Sequence, residues 1–277
     1  MQRAITPTFE TPSFPERLKR MLGVDFYRLF HTPMYYIFLA IAAIIPAMVL
    51  SMGGMGGAAG AAATAPLYAN TWNIIAANSP LYVVHDIAEY ANMNMVFIFG
   101  GIMVSIFIGH DYSSGYVKQL FTTHSHKSDY MISKSIVCAF AMACMCGTYL
   151  LGGIAGGLFA GLSFEVNFGS LLMALLGKAV MSLGWASLYT FLNVIFRRYF
   201  GVSITSSFVL GTGIPIIGAA AILGNSAALN IFLYGASVSA CLSSGFATLL
   251  VCALVSVAWA VVYNALGTAV LARSDVY

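Results

Sequence analysis

The sequence predicts an all-α polytopic membrane protein. Six transmembrane helices follow an N-terminal amphipathic interfacial helix, and a short cytoplasmic helix lies between spans two and three. Three observations predict this. The first is composition: of 277 residues, 60% are hydrophobic and only 8% charged, against roughly 25% charged in an ordinary soluble domain, so the chain cannot furnish a polar surface. The second is the presence of six apolar runs long enough for a bilayer core, which takes about 20 residues per helix. The third is that the few charges segregate to one side of those runs. The net charge of +3 is small and dispersed, which excludes a nucleic-acid partner that depends on long-range attraction.

Residues 1–33 read as a cytoplasmic N-terminal segment and 34–277 as one transmembrane domain. Residues 1–12 are polar, carry two prolines and read as disordered. A helix then starts: Ser13 and Glu16 form a capping-box pattern, with Pro15 in the first turn. Phe14, Leu18, Met21, Leu22, Phe26, Leu29 and Phe30 recur on one face, and Arg17, Lys19, Arg20 and Arg28 fill much of the rest. That pattern suits a helix lying on an anionic leaflet. Thr32-Pro33 ends it. The charged residues of this segment do not form a cleavable secretory signal, so the first span is expected to be retained.

The spans are expected at 34–51, 93–109, 135–161, 178–196, 202–223 and 247–271. They are too long and too rich in glycine and alanine for barrel strands. The outer loop 52–92 opens on a glycine run and carries His85, Asp86 and Glu89, which read as solvated residues rather than metal ligands. The third span closes on Gly152, Gly153, Gly156 and Gly157, two overlapping small-xxx-small pairs suited to close helix approach. After the outer loop 162–177, Lys178 heads the fourth span and is expected to snorkel to the outer interface. The fifth span contains Gly211-Thr212-Gly213-Ile214-Pro215, either a hinge or a static kink. The charge-free outer loop 224–246 suits an interfacial or a re-entrant path. Of the five cysteines, Cys144 and Cys146 point about 200° apart on a helix. They read as interface filling, not as a metal site or a disulfide.

Orientation follows from the basic residues. Arg3, Arg17, Lys19, Arg20 and Arg28 precede the first span. Lys118, Lys127 and Lys134 lie between spans two and three, Arg197 and Arg198 between four and five, and Arg273 after the sixth. All 12 lysines and arginines except Lys178 therefore share one side, opposite Asp86, Glu89 and Glu165. This puts both termini in the cytoplasm.

The cytoplasmic loop 110–134 is the most informative segment. Asp111, Ser113 and Ser114 are placed to start a helix. Tyr116/Leu120 and Val117/Phe121 are i,i+4 pairs on one face, with Lys118 and Gln119 elsewhere. A polar turn with His124, His126 and Lys127 follows, and Ser128 and Asp129 suit the cap of the third span.

This segment resembles the permease subunits of ABC exporters of the ABC-2 type. Members carry an acidic-aromatic pair at the end of the second span, a glycine soon after, a short helix, a basic residue, and a tyrosine and lysine opening the third span. Here these positions are Asp111-Tyr112, Gly115, Lys127, Tyr130 and Lys134. Aspartate stands where glutamate is commoner, and Lys127 where arginine is commoner, which removes any bidentate contact there. The likeness extends to the basic N-terminal helix, the six spans and the Arg197-Arg198 turn.

The resemblance implies a bacterial plasma-membrane exporter in which two permease subunits, identical or homologous, form the pathway. Two separate ATPase subunits would bind ATP and Mg and drive the cycle. The loop helix would be a coupling helix, docked in a groove on the ATPase through Tyr116, Val117, Leu120 and Phe121, with Arg197 and Arg198 in a smaller contact. Spans two and five would line the subunit interface, which places Gly211, Thr212, Gly213 and Pro215 beside the exit path. Peptides, antibiotics and other amphiphiles are substrate classes of such permeases. The chain has no G-x-x-x-x-G-K-[ST] phosphate loop, since Gly177-Lys178 is followed by Ala179. Neither ATP nor any other cofactor is therefore expected on this chain, and no metal or catalytic set stands out. The alternative is a structural or sensory membrane subunit without transport. An intramembrane enzyme is disfavoured, because the spans hold no acid at their centres.

The six-span topology makes a direct prediction. Single cysteines at Ser79 and Ser125, in a cysteine-free background, should react with an impermeant thiol reagent from opposite sides of the membrane, Ser79 from outside. Reaction of both from the same side contradicts the topology.

Overall fold

The computed structural model describes residues 12–53, 95–122, 126–159, 168–197, 199–213, 231–242 and 246–273. Residues 1–11, most of the first outer loop with His85, Asp86 and Glu89, the turn 123–125, Arg198, and residues 214–230 with Pro215 lie outside the described residues. Among the described residues all regular structure is helical. Four helices are long and apolar enough to cross a membrane, or up to five if a bent N-terminal pair counts as one span. The protein is thus a multi-pass helical membrane protein.

Helix α1 (Phe14–Phe30) starts where the Ser13 amide donates to the Glu16 carboxylate at 3.3 Å. It ends at His31, and α2 (Pro33–Gly53) restarts at the proline, whose missing N–H costs nothing in a first turn. The chain bends there by 66°. Helix α3 (Met95–Ser113) leads through Gly115, at φ 73°, into the seven-residue α4 (Tyr116–Thr122). Only glycine adopts that left-handed turn without strain. Helix α5 (Lys127–Phe159) has 33 residues, about 50 Å of rise, so it outruns a bilayer core of about 30 Å.

Helix α6 (Phe168–Ile195) corrects one expectation. It begins about ten residues before Lys178, which is therefore not the head of the span but a buried residue inside it, 2% exposed. The apolar stretch Phe168–Gly177, set down as outer loop, is itself mostly helix former. Helix α7 (Phe200–Gly211) covers the first part of the expected fifth span, whose residues 214–223 lie outside the described residues. Thr212 caps it and Gly213 follows at φ 70°, its amide donating back to the Leu210 carbonyl at 3.0 Å. The Thr212 hydroxyl donates to the Val209 carbonyl at 2.7 Å. A Cβ at Gly213 would overlap the Tyr234 ring.

Tyr234 belongs to α8 (Leu233–Leu242), within the loop expected at 224–246. Leu233, Tyr234 and Ala236 are buried, and Trp185 donates its indole N–H to the Ser237 hydroxyl at 2.7 Å. Protein therefore covers part of this short helix. Helix α9 (Phe246–Arg273) completes the chain. It lies along α6, while α2 lies along α5, α5 on α6, and α7 on α3.

The core is filled by Met142, Met145, Cys138, Cys146, Trp185 and Tyr189. Cys138, Cys144, Cys146 and Cys252 carry free thiols. Polar side chains stitch the helices where apolar burial against lipid gives no drive. Asn193 on α6 donates to Ser105 on α3 at 3.2 Å and accepts from Ser203 on α7 at 2.5 Å, and Ser105 meets Ser207 at 3.0 Å. Asn264 on α9 likewise accepts from Ser135 on α5 at 2.9 Å and donates to Ser187 on α6 at 3.1 Å.

One small-xxx-small pair, Gly152 and Gly156, meets a neighbouring helix backbone. A Cβ at Gly152 or at Gly156 would overlap the backbone of Ala43 or Ala47 on α2, so these two glycines set the α2–α5 approach. Gly152→Ala and Gly156→Ala should each destabilise the protein by about 1–3 kcal/mol, the usual cost of overfilling a close-packed contact. Gly147→Ala, where nothing lies within 4 Å, should not. Thermal unfolding in detergent checks the contrast.

Candidate functional site

The most polar feature of the described structure is an ionic cluster where α1, α3, α4 and α5 meet. Lys134, on the first turns of α5, extends its ammonium between two carboxylates, 2.7 Å from Asp25 Oδ1 and 2.7 Å from Asp111 Oδ2. All three side chains are at most 1% exposed. Asp25 also accepts from the Ser133 hydroxyl at 2.6 Å. Arg28, one turn further along α1, pairs with Asp111 at 2.5 Å. Two acids thus face two bases, and the buried charge sums to zero.

Aromatic rings close the cluster. The Arg28 guanidinium carbon lies 4.1 Å from the centre of the Tyr116 ring, and the Lys134 ammonium 4.6 Å from that of Phe107. Ring faces attract cations and exclude water, so they raise the worth of each ion pair. Burial, the largest single influence, would lower the Arg28 pKa, but Asp111, together with Tyr116 and Asp25, holds the guanidinium above its ordinary value. Burial, with Asp25 nearby, pushes the Tyr116 hydroxyl up. A second bridge, Arg17 to Asp129 at 2.8 Å, ties α1 to the start of α5 at the protein edge.

Asp25 is the residue that sequence reasoning missed. It stands between Leu22 and Leu29 on the apolar stripe of α1, four residues after Met21. A lone carboxylate on such a stripe signals a buried partner, and Lys134 is that partner. Arg28 is corrected as well. The sequence places it on a face toward lipid headgroups, but together with Arg17 it turns to the protein, leaving Lys19 and Arg20 exposed.

Of the coupling residues expected from the sequence, Asp111, Tyr116, Tyr130 and Lys134 converge on this cluster. The Tyr130 hydroxyl lies 3.5 Å from Asp111 Oδ2. The apolar face of α4 differs from expectation. Val117 is 1% exposed and packs with Tyr130, Met131, Val194 and Leu271, and Leu120 and Phe121 are partly buried against the same group. This face holds α4 to its own chain. The physical reason is that a seven-residue helix cannot stand alone in water and needs its apolar side for anchorage. Lys118, Gln119 and Thr122 remain outward.

Lys127 donates to the Leu271 carbonyl at 2.6 Å, capping the last turn of α9 as a cation should. Tyr112 and Arg197 line a separate cavity on the other side of α3. Gly211, Thr212 and Gly213 form the end of α7 and are not part of the cluster.

Because each buried ion depends on its partners, Lys134→Met should cost about 3–5 kcal/mol, leaving Asp25 and Asp111 as uncompensated buried acids. Adding Asp25→Asn should recover part of that loss, since it removes one unpaired charge. Melting temperatures of the two variants check this, and equal destabilisation by both contradicts it.

No protein-family model matches the sequence, and no curated protein matches it.

Proposed function

We propose that this chain is the transmembrane permease subunit of an ATP-driven exporter of the ABC-2 type, set in a bacterial plasma membrane. It works as a pair with a second permease, identical or homologous, and with separate ATPase subunits that bind ATP and Mg. The observation that carries the reading is α4: a short helix at the end of a span, locked by its apolar face and by the ionic cluster, with its polar face outward. A helix held this way transmits a push from outside the membrane into α3 and α5 without yielding itself.

Other features support the reading. The exposed cations Lys19, Arg20, Lys118 and Arg273 gather at the end of the bundle that carries α4, as the positive-inside tendency requires of a cytoplasmic face. Both chain ends then lie in the cytoplasm, and six spans follow if the second outer half of span five lies beyond Gly213. Exposed Phe14, Val24, Tyr27 and Phe30 beside Lys19 and Arg20 suit α1 to the membrane surface. The break at Gly211, Thr212 and Gly213, with Pro215 after it, is then a fixed joint more than a free hinge, because Tyr234 fills the space beside Gly213. Contact with the ATPase falls to Lys118, Gln119 and Thr122, with the Arg197-Arg198 turn as the smaller contact through Arg198. Tyr112, Gly115, Val117, Leu120, Phe121, Lys127 and Tyr130 position α4 from behind. A peptide, antibiotic or other amphiphile is the substrate class.

The test is co-purification of the tagged subunit from its native membrane. An ATPase subunit should accompany it. Lys118→Glu should lower ATPase recovery several-fold without changing the melting temperature, whereas Val117→Asp should disrupt the loop itself. Recovery of the chain with no ATPase overturns the proposal.

A further inference from the structure

We propose that the cavity between the ends of α3 and α6 and the start of α7 binds the phosphate headgroup of an anionic lipid. It encloses about 470 Å³ and is not part of the ionic cluster. His110 and Arg197 bring basic groups to it, and Phe196 and Phe200 give it apolar walls. Asn193 and Ser203 line it too, but they bond to each other. No carboxylate lines it among the described residues: Asp111, next to His110 in the chain, is fully buried and held by Arg28 and Lys134. The result is a site of positive potential beside apolar rings. A guanidinium presents several N–H donors suited to phosphate oxygens. The first turn of α7 adds to this, because its N-cap Tyr199 makes no side-chain capping bond and Phe200 and Ser203 of that turn line the cavity.

Position decides between a lipid and a soluble phosphate. Tyr199 is 67% exposed, and Tyr36 on the first turn of α2 is 52% exposed. Exposed tyrosines at helix ends mark the level of lipid headgroups. Phe200, itself 46% exposed, offers a face on which an acyl chain can continue from the headgroup. A free phosphate would leave those rings in water. The inference does not rest on the transport reading: a subunit with no ATPase would hold the same lipid.

The test uses the full chain, delipidated in detergent and examined by native mass spectrometry with phosphatidylglycerol or phosphatidylcholine. The wild type should retain phosphatidylglycerol at least about fivefold better. Arg197→Gln should abolish the preference, Arg197→Lys should keep part of it, and His110→Gln should weaken it independently. Equal retention of the two lipids by the wild type overturns the proposal. So does an undiminished preference in both Arg197→Gln and His110→Gln. Displacement of phosphatidylglycerol by millimolar glycerol 3-phosphate would show that a soluble phosphate ester is the ligand, and would overturn the lipid assignment.

Discussion

The structure depends first on a buried ammonium held between two carboxylates. Taking Lys134, Asp25 and Asp111 out of water costs several kcal/mol per ion. That cost is tolerable only because each charge has an opposite charge at 2.7 Å or less, with Ser133 donating to Asp25 and Arg28 forming a second ion pair with Asp111. The members come from three helices, with Tyr116 of a fourth over the Arg28 guanidinium. No one helix can leave without stranding a charge. Apolar contacts slide at little cost; a charge pair in a dry site does not. The cluster therefore sets the register of α1 against α5 and the position from which α4 departs.

Deeper in the bundle a different rule applies. Lipid chains are as apolar as leucine, so burying leucine against leucine gains little there. Contact comes instead from surfaces that fit closely and from polar groups that have no other partner. Gly152 and Gly156 bring the α5 backbone onto α2. Asn193 and Asn264 each bridge three helices. The large exposed side chains of α9, such as Leu254 and Val261, belong to a helix with most of its surface turned away from its neighbours.

Much of this was legible in the sequence. Hydropathy and the Thr32-Pro33 break give α1, α2 and α9 nearly residue for residue, because long apolar runs and prolines act locally; α3 runs on through Asp111 to Ser113, where a helix start was expected. The start of α6 before Lys178 was not legible, because inside apolar sequence no polar boundary marks it. The candidate site was half legible. Asp111, Tyr130 and Lys134 stood out as a pattern, but Asp25 lies about 110 residues from Lys134, and their pairing is a matter of tertiary structure. The face of α4 is only partly legible for a related reason: Val117 is buried against its own chain, while Leu120 and Phe121 are partly buried. An amphipathic stripe shows that one side is buried, not whether its own chain or a partner buries it.

The bend between α1 and α2 acquires a mechanical meaning from what lies across it. Helix α5 holds α1 through Asp25, Arg17 and the Phe26–Phe140 ring contact at 5.2 Å, and holds α2 through Gly152 and Gly156. The two arms of the 66° bend are thus fastened to one continuous helix. In structural engineering this is a triangulated truss, whose corners cannot open unless a side changes length. A load applied to α1 therefore reaches α2 and the far end of α5 as a rigid displacement, and the corner at Thr32-Pro33 needs no stiffness of its own.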